Sequence, residues 1–148
     1  MAKISIKSPE TTPSVVTRDY VQGYEQLEKL SIGDLDSTIT TYFVGGPDTP
    51  QLFELFVEPN GELSPHGHEF GEILYILEGE MHLGGRVLHP KTAIYIPALT
   101  AYLIKAGPKG LRFLNFTGRG DGAYVHRDDL VAMRGATDTV AAAHLIED

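Results

Sequence analysis

The 148-residue chain has no cysteine. This excludes a disulfide scaffold, thiolate zinc sites, iron–sulfur clusters and cysteine nucleophiles together. Any metal must therefore sit on His, Asp, Glu or Tyr. Positive charge is also scarce, with 12 Lys and Arg against 20 Asp and Glu and a net charge of −8. No Lys/Arg cluster offsets that balance, so the counterion-displacing surface that nucleic-acid binding needs is missing. No apolar run approaches the ~20 residues that a membrane-crossing helix requires. The start, Met1-Ala2-Lys3-Ile4-Ser5-Ile6-Lys7, lacks the apolar core of a secretory leader. The expectation is a cytoplasmic protein with neither nucleic acid nor membrane as partner.

What is present suits one folded domain spanning 1–148. Hydrophobic residues make up 42 % and charged ones 22 %, and at this length roughly two-thirds of the unfolded surface can be buried. Sixteen glycines and nine prolines divide the chain into short segments. Residues 1–37 read as an N-terminal arm with a short strand around Ile4 and Ile6, extended chain at Pro9 and Pro13, and helical turns over Tyr24–Leu30. Strands are expected over Thr38–Val44, Leu52–Glu58, Glu72–Leu77, Met81–Leu83, Arg86–Leu88, Thr92–Ile96, Ala101–Lys105 and Leu111–Thr117. Turns separate them at Glu78-Gly79-Glu80, Gly84-Gly85 and Gly107-Pro108-Lys109-Gly110. Such spacing predicts an all-β antiparallel sandwich or barrel with its core at about 38–118 and a C-terminal extension over 119–148. Both faces of Glu72–Leu77 are largely apolar, which predicts cover on both sides. The alanine-rich stretch Ala136–Ile146 predicts a short C-terminal helix.

The segment Gly61-Glu62-Leu63-Ser64-Pro65-His66-Gly67-His68-Glu69-Phe70-Gly71-Glu72 carries the chemistry. In extended chain, residues two apart share a face, so His66 and His68 project together. Gly71 lets the chain bend so that Glu72 can face the same cavity. Two imidazoles and a carboxylate on one side of an ion form a facial triad that suits Fe, Mn, Ni, Co or Zn. Without the metal, the bland reading makes both histidines surface turn residues.

The spacing resembles the first motif of the cupin superfamily: His66-x-His68, three residues, Glu72, six residues, Gly79. Gly61 lies one residue closer to His66 than that motif asks. The resemblance covers about residues 50–118. It implies a double-stranded β-helix, the jelly-roll barrel, with an N-terminal arm, a short C-terminal helix and a divalent transition metal held by His66, His68 and Glu72. In the second cupin motif, aligned on Pro97, the positions of Gly, Gly, His and Asn are taken by Lys91, Leu99, Tyr102 and Ala106. Tyr102 thus stands where the family has its fourth ligand. Its roles, in order, are proton carrier or substrate anchor beside a three-ligand metal, phenolate ligand, or packing residue in a degenerate site.

The resemblance implies a metal-dependent enzyme acting on a small organic molecule, either an oxygenase or an isomerase or lyase with Tyr102 in proton transfer. The alternative is a small-ligand-binding cupin without catalysis. The arm, the doubly apolar strand and the family's habit together imply a homodimer. Lesser candidates are His82, His89, His126 and His144, read as packed or surface residues, and Glu69 as a stand-in for Glu72. Glu54 and Glu80 read as exposed charges, Arg112 and Arg119 as solvated surface residues, and Phe53, Phe56, Tyr75, Tyr95, Phe113 and Phe116 as core.

Overall fold

The computed structural model describes residues 2–20 and 29–147. Of the helical turns expected over Tyr24–Leu30, all but Lys29 and Leu30 lie outside the described residues. In chain order the elements are β1 (Val15–Val16), α1 (Thr17–Tyr20), α2 (Ile32–Asp36), β2 (Thr38–Phe43), β3 (Gln51–Val57) and β4 (His66–His68). There follow β5 (Glu72–Leu83), β6 (Arg86–Leu88), β7 (Ala93–Ile96), β8 (Thr100–Ala101) and β9 (Ile104–Thr117). The chain continues through β10 (Tyr124–His126), α3 (Arg127–Ala132), β11 (Thr137–Asp138) and a 3₁₀ turn at Ala143–Leu145.

Seven strands form one sheet in the order β1-β2-β3-β9-β5-β6, with β7 also paired to β5. The small pairs β4–β10 and β8–β11 lie across from it, joined by the bridge between His66 and Tyr102. The long strands β5 and β9 are the frame. Alternation along β5 turns Glu72, Leu74 and Ile76 inward, where they are 3 %, 0 % and 0 % exposed. Leu111, Phe113 and Asn115 face inward from β9 in the same way. Leu74, Ile76, Leu111 and Phe113, with Met81, Leu63 and Ile104, make the core that fixes the barrel.

Two expected turns prove to be irregularities within continuous strands. Glu78-Gly79-Glu80 lies inside β5, and Gly107-Pro108-Lys109-Gly110 inside β9, where the pairing register shifts near Gly79. Gly79 and Gly110 take positive φ of 77° and 84°. A bulge of this kind bends a strand sharply without ending it, as closure of a small barrel demands. Two other expectations are corrected. Residues 2–7 form no strand, and Ile4 and Ile6 are exposed. The C-terminal helix is α3, upstream of the alanine-rich stretch, which holds only β11 and the 3₁₀ turn. The second face of β5 is open in the single chain, with Ile73 and Tyr75 exposed beside Tyr95 and Phe116.

The positions where the cupin motif has glycines keep the glycine conformation without the glycine. Lys91 and Leu99 have φ of 70° and 56°, the left-handed region that side chains with a Cβ adopt at a cost. Lys91→Gly is therefore expected to stabilise the fold by roughly 0.5–1 kcal/mol, seen as a melting temperature a few degrees higher. A lower melting temperature would show that Lys91 makes compensating contacts.

Candidate functional site

Short-range packing explains the local sequence around the two histidines. Gly67 separates them because β4 runs so close to β8 and α3 that a Cβ there would strike the Thr100 carbonyl and Leu130. On either side of it, His66 and His68 project into the barrel. His66 exchanges two backbone hydrogen bonds with Tyr102, of 3.1 and 2.8 Å. Directly paired residues of antiparallel strands carry their side chains side by side, and the two rings lie 4.8 Å apart. Tyr102 thus enters the site through strand pairing.

Glu72, the first residue of β5, has its carboxylate almost fully buried. Its Oε1 accepts a short hydrogen bond from the Tyr102 hydroxyl, and its Oε2 accepts one from Asn115 Nδ2 at 2.6 Å. His68 Nε2 lies 3.5 Å from the same Oε2. The Nδ1 of His66 donates to the Ser64 carbonyl at 2.6 Å, which leaves its Nε2 unprotonated with a free lone pair. The His66 and His68 rings meet edge to face at 5.1 Å. A neighbouring ring, Tyr124, stacks on His66 at 4.6 Å.

Burial sets the protonation states. It pushes both histidines down to about 4, helped at His66 by the nearby His68, so both imidazoles are neutral at pH 7. Burial also raises Glu72, against the opposing pull of its Tyr102 and Asn115 hydrogen bonds. Tyr102 lies well above the ordinary phenol value through burial and the adjacent Glu72 carboxylate, and it keeps its proton.

These groups sit at the wall of a cavity of about 210 Å³. Its walls are mostly apolar, with Ile39, Phe53, Leu55, Leu63, Ile104 and Phe113 contributing. His66, His68, Tyr102 and Asn115 line it, and Glu72 lies behind them. Thr17, Leu30, Asp34 and Ser37 complete the wall, so part of the expected arm is a wall of the cavity.

Of the expected ligands, the structure brings His68 and Glu72 together and sets His66 against His68. Among the described residues, no three His, Asp or Glu side chains converge as a group able to hold an ion. The reason is local: the Glu72 oxygens are turned towards Tyr102 and Asn115. In kind the donors do fit a metal, because two neutral imidazoles and a hydrogen-bonded carboxylate are what such ions take.

Asn115, Asp34, Ser64 and Tyr124 escaped the sequence reading. Asn115 carried a usable signal, since it is a polar residue at an inward position of the apolar strand Leu111–Thr117. Glu69 stays exposed on the Ala123 amide and does not replace Glu72. Glu54 departs from expectation, largely buried between Tyr42 and Arg112. Arg112 covers Phe56, while Arg119 pairs with Asp121 over Phe70; neither lines the cavity. His126 is mostly buried as the N-cap of α3, and His82 is half-exposed beside Glu80. His89 and His144 are exposed.

No protein-family model matches the chain, and neither does any curated protein. Solved structures do. The polyketide cyclase RemF from Streptomyces resistomycificus superposes with a TM-score of 0.62 at 23 % identity, over 84 % of this chain and 86 % of that one. A cupin-2 domain protein from Rhodospirillum rubrum gives 0.57 at 20 % identity, over 97 % and 93 %. An RmlC-like cupin from Ralstonia eutropha gives 0.59 at 13 % identity, over 85 % and 74 %. The chain has the cupin fold. In cupin terms, β4, β5 and the His66–Tyr102 bridge carry the two motif regions, and no helix among the described residues is long and apolar enough to cross a membrane.

Asn115→Leu removes the donor to Glu72 Oε2 while roughly keeping volume. It is expected to cost about 1–3 kcal/mol, because a buried acceptor is left unsatisfied. Urea denaturation of metal-free protein reads this; unchanged stability would mean that Asn115 does not hold the carboxylate.

Proposed function

We propose that this cupin is a metal-dependent enzyme acting on a small, largely apolar organic molecule by proton transfer, as an isomerase or lyase. The observation that carries the reading is the Tyr102 hydroxyl, which lines the cavity and donates to the buried Glu72 carboxylate. His66, His68 and Glu72 would hold the ion. When bound, the ion supplies Lewis-acid polarisation of a substrate oxygen.

The chain's own residues do the rest. The apolar walls exclude water and hold the substrate against Tyr102. Tyr102 accepts a substrate proton at its oxygen as its own proton passes to Glu72, and the reverse transfer returns a proton to product. Asn115 keeps the carboxylate aligned for that exchange, and the Ser64 carbonyl fixes the His66 tautomer. The polyketide cyclase among the structural neighbours is in keeping with a small organic substrate. An oxygenase with the same ligands is the second metal-dependent reading. The Tyr102–Glu72 pair favours proton transfer over it.

Elemental analysis tests the proposal. After anaerobic reconstitution, about one equivalent of transition metal is expected in the native chain and in Tyr102→Phe, and none in the His66→Ala/His68→Ala double variant. Loss of metal in Tyr102→Phe would make Tyr102 a ligand. No metal in the native chain would favour a ligand-binding cupin without catalysis.

The exposed patch of Ile73, Tyr75, Tyr95 and Phe116 supports the homodimer, with a second copy covering the open face of β5. Light scattering after size-exclusion chromatography should give twice 16.2 kDa. A monomer at micromolar concentration would contradict it.

A further inference from the structure

The cavity wall beside His66 carries two polar atoms that the proposed chemistry does not use. Asp34, in α2, is almost buried and lines the cavity. Its hydrogen bonds fall on one oxygen: Oδ2 accepts from the Ser31 amide at 2.9 Å, the Ser31 hydroxyl at 2.8 Å, the Ser64 amide at 2.8 Å and, at short range, the Ser64 hydroxyl. Among the described residues, none reaches Oδ1. The second atom is the Tyr124 hydroxyl, which is buried and makes no hydrogen bond among the described residues. Ser64 lies near it without hydrogen-bonding geometry; its hydroxyl gives its one proton to Asp34 or the Lys29 carbonyl and accepts from the Ser31 amide. Tyr124 is held by stacking on His66 and by the pairing of β10 with β4, while Asp34 is fixed by its capping box and by Ser64.

We infer that Asp34 and Tyr124 form a clamp for a hydroxyl group on an otherwise apolar, single-ring ligand. This rests on the reading of the cavity as the substrate site. One hydroxyl can satisfy both unused atoms, donating to Asp34 Oδ1 and accepting from the Tyr124 hydroxyl. An ammonium can donate to both oxygens but leaves the Tyr124 proton without an acceptor, and a carboxylate would face Asp34 with like charge. The apolar walls suit a ring, and the volume limits it to one: a dry cavity of about 150 Å³ already accepts benzene. A ring so clamped lies against the His66 side chain, whose other neighbours are Tyr102 and His68. The clamp therefore sets which part of the molecule faces Tyr102. Sites built to bond a hydroxyl discriminate strongly against the analogue that lacks it, because their polar groups are then left unpaired.

Calorimetric titration with 4-methylphenol and with toluene tests this on the full chain, both stripped of metal and reconstituted with zinc. The phenol is expected to bind at least tenfold more tightly than toluene, and Tyr124→Phe should cut that preference to threefold or less without weakening toluene. Asp34→Asn should reduce it as well. Since Asp34 also anchors Ser31 and Ser64, Tyr124→Phe is the deciding variant if Asp34→Asn fails to fold. Equal affinity for the two probes, no binding of either, or an undiminished preference in Tyr124→Phe would overturn the clamp. The metal-stripped arm separates the two ideas. A hydroxyl preference there in a chain that takes up no metal leaves the clamp standing and the metal reading fallen; metal uptake without the preference does the reverse.

Discussion

A carboxylate buried at the start of a core strand is the constraint around which this barrel is arranged. Burying the Glu72 charge is costly unless its oxygens are hydrogen-bonded, and the structure meets that demand from two directions. Tyr102 reaches Oε1 from the chain between β8 and β9, and Asn115 reaches Oε2 from β9. Both depend on register. A one-residue slip of β9 against β5 would turn Asn115 outward and an apolar side chain towards the carboxylate. The pairing of Leu74 with Asn115 is thus part of the site as much as of the sheet.

The same economy of parts joins the cavity to the N-terminal residues. Asp34 ties Ser31 and Ser64 together, and the Ser64 carbonyl holds His66 in one tautomer. A residue of the expected arm therefore reaches an imidazole of the site through one intermediate residue. Packing of this kind explains why Thr17, Leu30, Asp34 and Ser37 contribute wall rather than appendage. It also places a second polar pair, Asp34 and Tyr124, in the cavity lining beside His66.

Much of the fold was legible because alternation is a strong signal. The strands around Thr38–Phe43, Gln51–Val57 and Ala93–Ile96 follow directly from β-branched and aromatic runs between turn residues. The bulges at Gly79 and Gly110 were not legible, since glycine with charged neighbours reads as a turn whether the strand ends or merely bends. Within the site, the spacing of His66, His68 and Glu72 could be read from the cupin motif, and Tyr102 from its register with the missing histidine. Asn115, Tyr124 and Asp34 lie 43 and 52 residues after Glu72 and 38 before it. Only the closed barrel brings them near. Lys91 and Leu99 show the converse case, where the motif's glycines have gone and the backbone they usually permit has stayed.

The central claim is that His66, His68 and Glu72 form a metal centre braced by Tyr102 and Asn115. X-ray absorption at the zinc edge of the reconstituted full chain tests it most directly. The account predicts scattering from two imidazoles together with oxygen donors, and one imidazole fewer in His68→Ala. A spectrum without imidazole scattering, or one unchanged by that substitution, would contradict it.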